Sequence, residues 1–278
     1  MRDRETFVEE VASWAAAKPD VHAAVLVGSA ARTATPADEW SDVDVALFVH
    51  DPAPYLADGG WLEALGSPLL TFVEPAATGG GQERRVLFDD GVEADFSVFP
   101  AAAVEHLLGD AGAVETVRRG HRVLFDRAGL ASLLSELPTP ATAGSAAPAL
   151  EQLANDVWYH ALWAAKKLRR GEAWVARSCV DCYLGARLVE TAALRARALD
   201  PGLDTWHGGR FVERWAGPEI VAALWEARVR DPGDVPAAIR RSVSLFDRLA
   251  DETAALLDVP LELRRNEARA RLDALLGG

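Results

Sequence analysis

The chain is poor in the residues that carry redox, thiol and histidine chemistry: its 278 residues include two cysteines, one methionine and six histidines. The cysteines, Cys179 and Cys182, stand in a C-x-x-C spacing. A zinc site would need two further thiolate or imidazole ligands, and a redox pair belongs at a helix start after a strand. Here the pair falls within Trp174 to Arg197, which reads as helix. Both are therefore expected to be small core residues in a reducing, cytoplasmic setting. The histidines show no H-E-x-x-H spacing and no Ser-His-Asp order, which argues against histidine chemistry. No apolar run approaches the roughly 18 residues of a membrane span. Met1-Arg2-Asp3-Arg4-Glu5 leads straight into a charged amphipathic helix, so neither a signal peptide nor a membrane contact is expected.

Positive charge is also in short supply, but only in one half. Against 42 Asp and Glu stand 29 Lys and Arg, a formal net charge of −13. Residues 1–140 hold 10 basic and 23 acidic side chains, whereas residues 141–278 hold 19 of each. A negative field of this size repels phosphate backbones and attracts cations, which disfavours nucleic acid as a partner and favours a cationic small molecule. A solvated acidic surface that aids solubility accounts for the same numbers.

The length suits one large domain or two modest ones. Through residue 127 the pattern mixes helices and strands. Val21 to Val27 has strand character, and Asp42 to Val49 alternates, with Val43, Val45 and Leu47 on one face and Asp42, Asp44 and Ala46 on the other. Arg84 to Phe88 and Val92 to Phe99 flank Asp90-Gly91, a two-residue hairpin signal. Residues 138–148, Pro-Thr-Pro-Ala-Thr-Ala-Gly-Ser-Ala-Ala-Pro, read as a linker. Beyond it the periodicity is helical over about Ala149–Arg170, Trp174–Leu199, Pro218–Arg230, Pro236–Leu257 and Pro260–Leu276. The expected fold class is α+β: a catalytic sheet domain over 1–137, the linker, and a helical bundle over 149–278. Trp158, Trp163, Trp174 and Trp225 are the expected core or domain-interface residues of the bundle.

One stretch carries chemistry: Val25-Leu-Val-Gly28-Ser29-Ala-Ala-Arg32, then Ser41-Asp42-Val-Asp44-Val-Ala-Leu47. A strand ending at Gly28-Ser29 lets a phosphate approach backbone N–H groups and the serine hydroxyl at the start of a short helix. Asp42 and Asp44, one residue apart in extended chain, point to the same side and can share a divalent metal. Asp95, on the polar face of the hairpin's second arm, is the best-placed third carboxylate. Arg32 could reach a phosphate or brace the acidic loop. A Gly-Ser after a strand is usually only a turn, and an Asp-x-Asp on a strand can be a solvated edge. Their joint occurrence in this order is far more specific.

The combination resembles the nucleotidyltransferase superfamily related to DNA polymerase beta. The resemblance narrows to the aminoglycoside 6-adenylyltransferases, the streptomycin-modifying family, and extends over nearly the full length. It is carried by Ala23-Ala-Val-Leu-Val-Gly-Ser29, by Val86-Leu-Phe-Asp-Asp-Gly-Val-Glu-Ala-Asp-Phe96, and by Asn155-Asp-Val-Trp158-Tyr-His-Ala-Leu-Trp-Ala-Ala-Lys166 with Leu168-Arg-Arg-Gly-Glu172. His207-Gly-Gly-Arg210-Phe211 matches a later Gly-basic-aromatic motif. The resemblance implies Mg²⁺-dependent transfer of AMP from ATP to a hydroxyl of streptomycin. In that reading Asp42, Asp44 and Asp95 hold two Mg²⁺ ions, and Asp95 takes the proton. Gly28 and Ser29 form the phosphate loop, while Lys166 and Arg210 contact the triphosphate. Two departures bear on the acceptor: Ser41-Asp42-Val43-Asp44 replaces the family's Gln-Asp-Tyr-Asp-type string, and Arg210 stands where Lys is commoner.

An acidic cleft would concentrate a polycationic aminoglycoside, and Glu74, Glu93 and Glu172 are candidate acceptor-side acids. Competing readings keep the chemistry with another antibiotic, a protein side chain or an RNA end as acceptor, or keep only nucleotide binding without turnover. Three convergent carboxylates argue against the last. A monomer is the expected state.

Overall fold

A computed structural model describes residues 2–32, 37–77, 80–137, 146–205, 208–261 and 264–277. The chain forms two compact units, residues 1–140 and 141–278.

The first unit opens with α1 (Arg4–Ala17), capped by the Asp3 carboxylate, which accepts from the Thr6 N–H at 3.1 Å. Six strands follow: β1 (Val21–Val27), β2 (Val43–Val49), β3 (Pro68–Pro75), β4 (Gln82–Phe88), β5 (Glu93–Pro100) and β6 (Arg122–Asp126). They form one mixed sheet in the order β3-β4-β5-β2-β1-β6, parallel between β2 and β5 and antiparallel elsewhere. Short helices α2 (Ala53–Ala57), α3 (Ala111–Arg119) and α4 (Leu130–Ser135) complete the unit.

Strand alternation divides the apolar residues between two faces. Leu26, Val43, Val45, Leu47, Phe88, Phe96 and Val98 pack against Phe7, Val11 and Trp14 of α1. On the other face Ala23, Val25 and Phe48 pack against Val104, Val117, Leu130 and Leu134. A cavity of about 560 Å³ lies on that second face, floored by Val25, Val27, Ala46, Phe48, Ser97 and Phe99. Ala46 and Ser97 are two residues beyond Asp44 and Asp95, so the apolar floor runs into the carboxylates.

The second unit holds α5 (Ala146–Arg169), α6 (Ala173–Ser178), α7 (Gly185–Leu199), α8 (Val212–Trp215), α9 (Pro218–Glu226), α10 (Val235–Leu257) and α11 (Arg265–Leu276). Helix α10 packs on α5 and α7, and α11 packs on α5. Leu150, Val157 and Trp158 from α5, Leu188 from α7, and Ile239, Phe246 and Leu249 from α10 form the core. The Trp158 indole donates to Asp247 Oδ1 at 3.0 Å, so its one polar atom is satisfied inside the bundle.

Several expectations need correction. Strands β3 and β6 carry no signal that the sequence pattern resolves. The helix expected over Trp174–Leu199 is interrupted by a π-helical segment, Cys179–Leu184, between α6 and α7. Cys179 is buried and its thiol is pushed up to about 11 by burial, aided by the Asp156 charge, but Cys182 is exposed and is not a core residue. Trp174 and Trp225 are 76% and 69% exposed, not core residues, whereas Trp163 is half-buried. Of the expected linker, residues 138–145 lie outside the described residues, and 146–148 already belong to α5.

Candidate active site

The register of one parallel strand pair assembles the acids. Asp44 on β2 lies opposite Asp95 on β5, on the face where Ala46 and Ser97 follow them. Asp42 arrives one residue before β2, out of a turn closed by Ser41. The Ser41 hydroxyl donates to Asp38 Oδ1 at 2.9 Å, and the Trp40 N–H donates to the same oxygen at 3.1 Å. These bonds, Ser41 first, hold the Asp38 carboxyl below its usual range. Ser41 of the motif therefore shapes the chain that delivers Asp42. Asp42, Asp44 and Asp95 each place one carboxylate oxygen within 4.8 Å of the other two.

Such a cluster is costly without a cation. The Asp44 carboxyl is pushed up to about 7, first by burial and then by the charges of Asp42, Asp95 and Glu83, which Arg32 only partly opposes. Asp95 also rises to about 7, because burial outweighs the opposing Arg85 guanidinium and Asp42, Glu83 and Glu74 add repulsion. Oxygen-only ligands at this density suit a hard divalent cation such as Mg²⁺. The three aspartates are the group of metal-capable side chains found among the described residues.

Gly28 and Ser29 close the site at the end of β1. Gly28 has φ +67°, and a Cβ there would lie 1.8 Å from Asp44 Oδ2. Only glycine lets the chain turn this closely over the carboxylate. Ser29 is buried, and its hydroxyl has no hydrogen-bond partner among the described residues. A buried hydroxyl left unmatched beside an acid cluster fits a ligand oxygen. The expected short helix is a three-residue 3-10 turn, Ser29–Ala31, so a helix dipole contributes little. Arg32 follows directly, and its charge acts on Asp44.

Residues 1–270 match the model of a family described as streptomycin adenylyltransferase. The chain belongs to that family. An aminoglycoside 6-adenylyltransferase of Campylobacter jejuni is 26% identical over 111 residues, an alignment that spans 38% of this chain and 38% of that protein. An aminoglycoside 6-adenyltransferase of Bacillus subtilis, solved by crystallography, is 14% identical with all of both chains covered, at a TM-score of 0.47. A nucleotidyltransferase-like protein of Exiguobacterium sibiricum 255-15 is 14% identical, with 99% of this chain and 88% of that chain covered, at a TM-score of 0.35.

In this streptomycin adenylyltransferase family member, the remaining candidate residues divide by unit. Glu74, on β3, ion-pairs with Arg85 at 2.7 Å. Glu93 is exposed at the start of β5. In the helical unit Lys166 is exposed on α5. Glu172 is taken up by Lys167 at 2.7 Å and Arg170 at 2.6 Å, and Lys167 first among these holds its carboxyl below the usual range. Arg210 lies over the Phe211 ring at 5.4 Å, and its carbonyl accepts from the Trp215 indole at 2.8 Å. The Gly209 in this turn has φ +87°, and a Cβ there would meet Val189 Cγ1 at 2.8 Å. His207 of the same motif lies outside the described residues.

Two residues at the acids were not singled out from sequence. Arg85, on β4, stands opposite Asp95 and approaches its Oδ2 at 2.9 Å. Glu83, buried on the same strand, accepts from Arg85 Nε at 3.1 Å and from the Ser97 hydroxyl at 3.3 Å. A two-residue turn at Asp90-Gly91 would set Val86 against Asp95, but the loop is Asp89–Gly91, closed by the Phe88 N–H donating to Val92 O at 2.9 Å, and this shift of one residue sets Arg85 against Asp95 instead.

Proposed function

We propose that the protein transfers AMP from ATP to a hydroxyl group of an aminoglycoside, with streptomycin at its 6-hydroxyl as the acceptor. The observation that carries this reading is the convergence of Asp42, Asp44 and Asp95 beside Gly28-Ser29, two of the carboxyls pushed up to about 7 by burial and neighbouring carboxylates. Asp42, Asp44 and Asp95 would hold two Mg²⁺ ions, whose chemistry when bound is to neutralise the charge that builds on the phosphoryl oxygens. The Gly28 turn and the Ser29 hydroxyl hold the phosphates. Asp95 accepts the proton from the acceptor hydroxyl as the new O–P bond forms at the α-phosphorus and the bond to pyrophosphate breaks. Residues 1–137 would be the catalytic domain and 149–278 the substrate and nucleotide domain, with Lys166 and Arg210 as its triphosphate contacts. The acidic surplus of the first half, 23 acidic against 10 basic side chains, favours a polycationic acceptor over a nucleic acid.

The test is pyrophosphate release from ATP with Mg²⁺ against streptomycin, spectinomycin, kanamycin and lincomycin. Streptomycin-dependent release that disappears in Asp95→Ala is the expected result. Turnover confined to another acceptor overturns the streptomycin assignment. Full activity in Asp42→Ala and Asp44→Ala overturns the acid site.

A further inference from the structure

Three strands place Asp44, Asp95 and Arg85 in one row across the sheet, with Asp95 in the middle. Arg85 Nη2 lies 2.9 Å from Asp95 Oδ2, while its Nε lies 2.7 Å from Glu74 Oε1 and 3.1 Å from Glu83 Oε1. Glu83 is fixed in turn by the Ser97 hydroxyl at 3.3 Å. Ser97, Glu83, Arg85 and Asp95 thus form a continuous brace along β4 and β5.

We infer that Arg85 is a positioning residue: its guanidinium engages one oxygen of Asp95 and so aims the carboxylate at the site that Asp42 and Asp44 share. This rests on the reading of Asp95 as a metal-holding proton acceptor. The side chains of Asp95 and Glu83 are 8% and 9% exposed, whereas that of Arg85 is 42% exposed, so a half-exposed arginine serves two buried carboxylates. A plain structural pair would leave the choice of cation open. Here one planar fork addresses three carboxylates at once, which a lysine ammonium on a flexible stem cannot reproduce. Asp95 needs such a brace because Asp42 on the metal side repels it, as do Glu83 and Glu74.

The test uses the full chain as Arg85→Ala and Arg85→Lys, with chemical rescue by guanidinium chloride against equal methylammonium chloride and NaCl. Misplacing a reacting group by about 1 Å costs roughly 10²-fold, so kcat of R85A should fall about 30-fold or more while KM for ATP stays within about threefold. About 20 mM guanidinium should restore at least roughly fivefold of kcat and raise the Tm of metal-free R85A, with neither effect in the wild type, because the planar cation refills the fork's place. R85K keeps a charge in that place, so it should lose kcat and gain nothing from guanidinium. R85A within about twofold of the wild type, or a folded R85A whose loss guanidinium does not repair, overturns the inference. Should R85A fail to melt cooperatively, R85K decides: a lowered kcat at unchanged Tm and KM supports the inference, and full activity overturns it. Asp95→Asn in the same assay separates the two claims. An inactive D95N beside a fully active R85A sinks only the role of Arg85, whereas an active D95N sinks the reading of Asp95 itself.

Discussion

Asp234 of the helical unit and the site acids Asp44 and Asp95 of the sheet unit live in opposite environments. In the helical unit Asp234 is clasped by Arg241, with Oδ2 2.6 Å from Nη2, and its carboxyl is pulled down to about 2 by that bond first. Asp247 accepts from Arg269 at 2.7 Å and from the Trp158 indole. Asp156 accepts from the Tyr183 hydroxyl at 2.9 Å and lies 3.5 Å from Arg187. In the sheet unit Asp44 and Asp95 are instead pushed up to about 7. The two halves match this contrast in bulk, with 19 basic against 19 acidic residues in one and 10 against 23 in the other. A carboxylate whose two oxygens are both taken, as those of Asp234 are by Arg241, stabilises the fold and is closed to other cations, whereas Asp95 meets Arg85 through Oδ2. A carboxylate crowded by burial and like charges costs stability and is open to a divalent ion.

The contrast can be broken most directly at the acids themselves. Asp44→Ala should lower turnover about 10³-fold, as the loss of a main electrostatic partner does, while Asp234→Asn should stay within about twofold. Pyrophosphate release measures both. Gly28→Ala comes next, because the added Cβ would collide with Asp44 Oδ2 and the φ of +67° disfavours a side chain. We expect about a 10²-fold loss of kcat and about 1–3 kcal/mol of stability, read by steady-state rates and denaturant melts.

Protons then separate Asp234 from the site acids by sign. Asp44 and Asp95 are raised from 3.8 to about 7, so their contribution to stability is full below about pH 4 and is lost as pH rises to 7 in the metal-free protein. Bound metal requires the ionised acids, so Mn²⁺ affinity measured by calorimetry should fall about tenfold or more per pH unit below 7. Asp234 is lowered from 3.8 to about 2, so its contribution is present above about pH 4 and is lost as pH falls through 2. The smallest expected effect follows from that last pair. Because it is partly solvent-screened, Asp234→Asn should cost only about 1 kcal/mol at neutral pH, a shift of a few degrees in a thermal melt.

Much of this was legible in the sequence where burial imposes a pattern. Strands β1, β2, β4 and β5 are central or well covered, and their alternation shows in Val43, Val45 and Leu47 and in Ala94, Phe96 and Val98. Strand β3 is an edge strand with Leu69, Leu70 and Phe72 exposed, so nothing forces polar residues onto one side. Strand β6 is a short half-buried edge with the same lack of pattern. The π segment at Cys179–Leu184 was hidden because its residues keep a helical rhythm on both sides. The acids were readable because Asp42 and Asp44 share a spacing and Asp95 interrupts an apolar strand. Arg85 and Glu83 were not, because their meaning depends on hairpin register rather than on residue type.

The most direct test of the central claim is the thermal stability of the wild type, Asp44→Asn and Asp234→Asn at pH 8, with and without Mg²⁺. The account predicts that Mg²⁺ raises the Tm of the wild type and of D234N but not that of D44N, and that without metal D44N melts above the wild type while D234N melts below it. An equal Mg²⁺ shift in all three proteins, or a metal-free D44N that melts below the wild type, would contradict it.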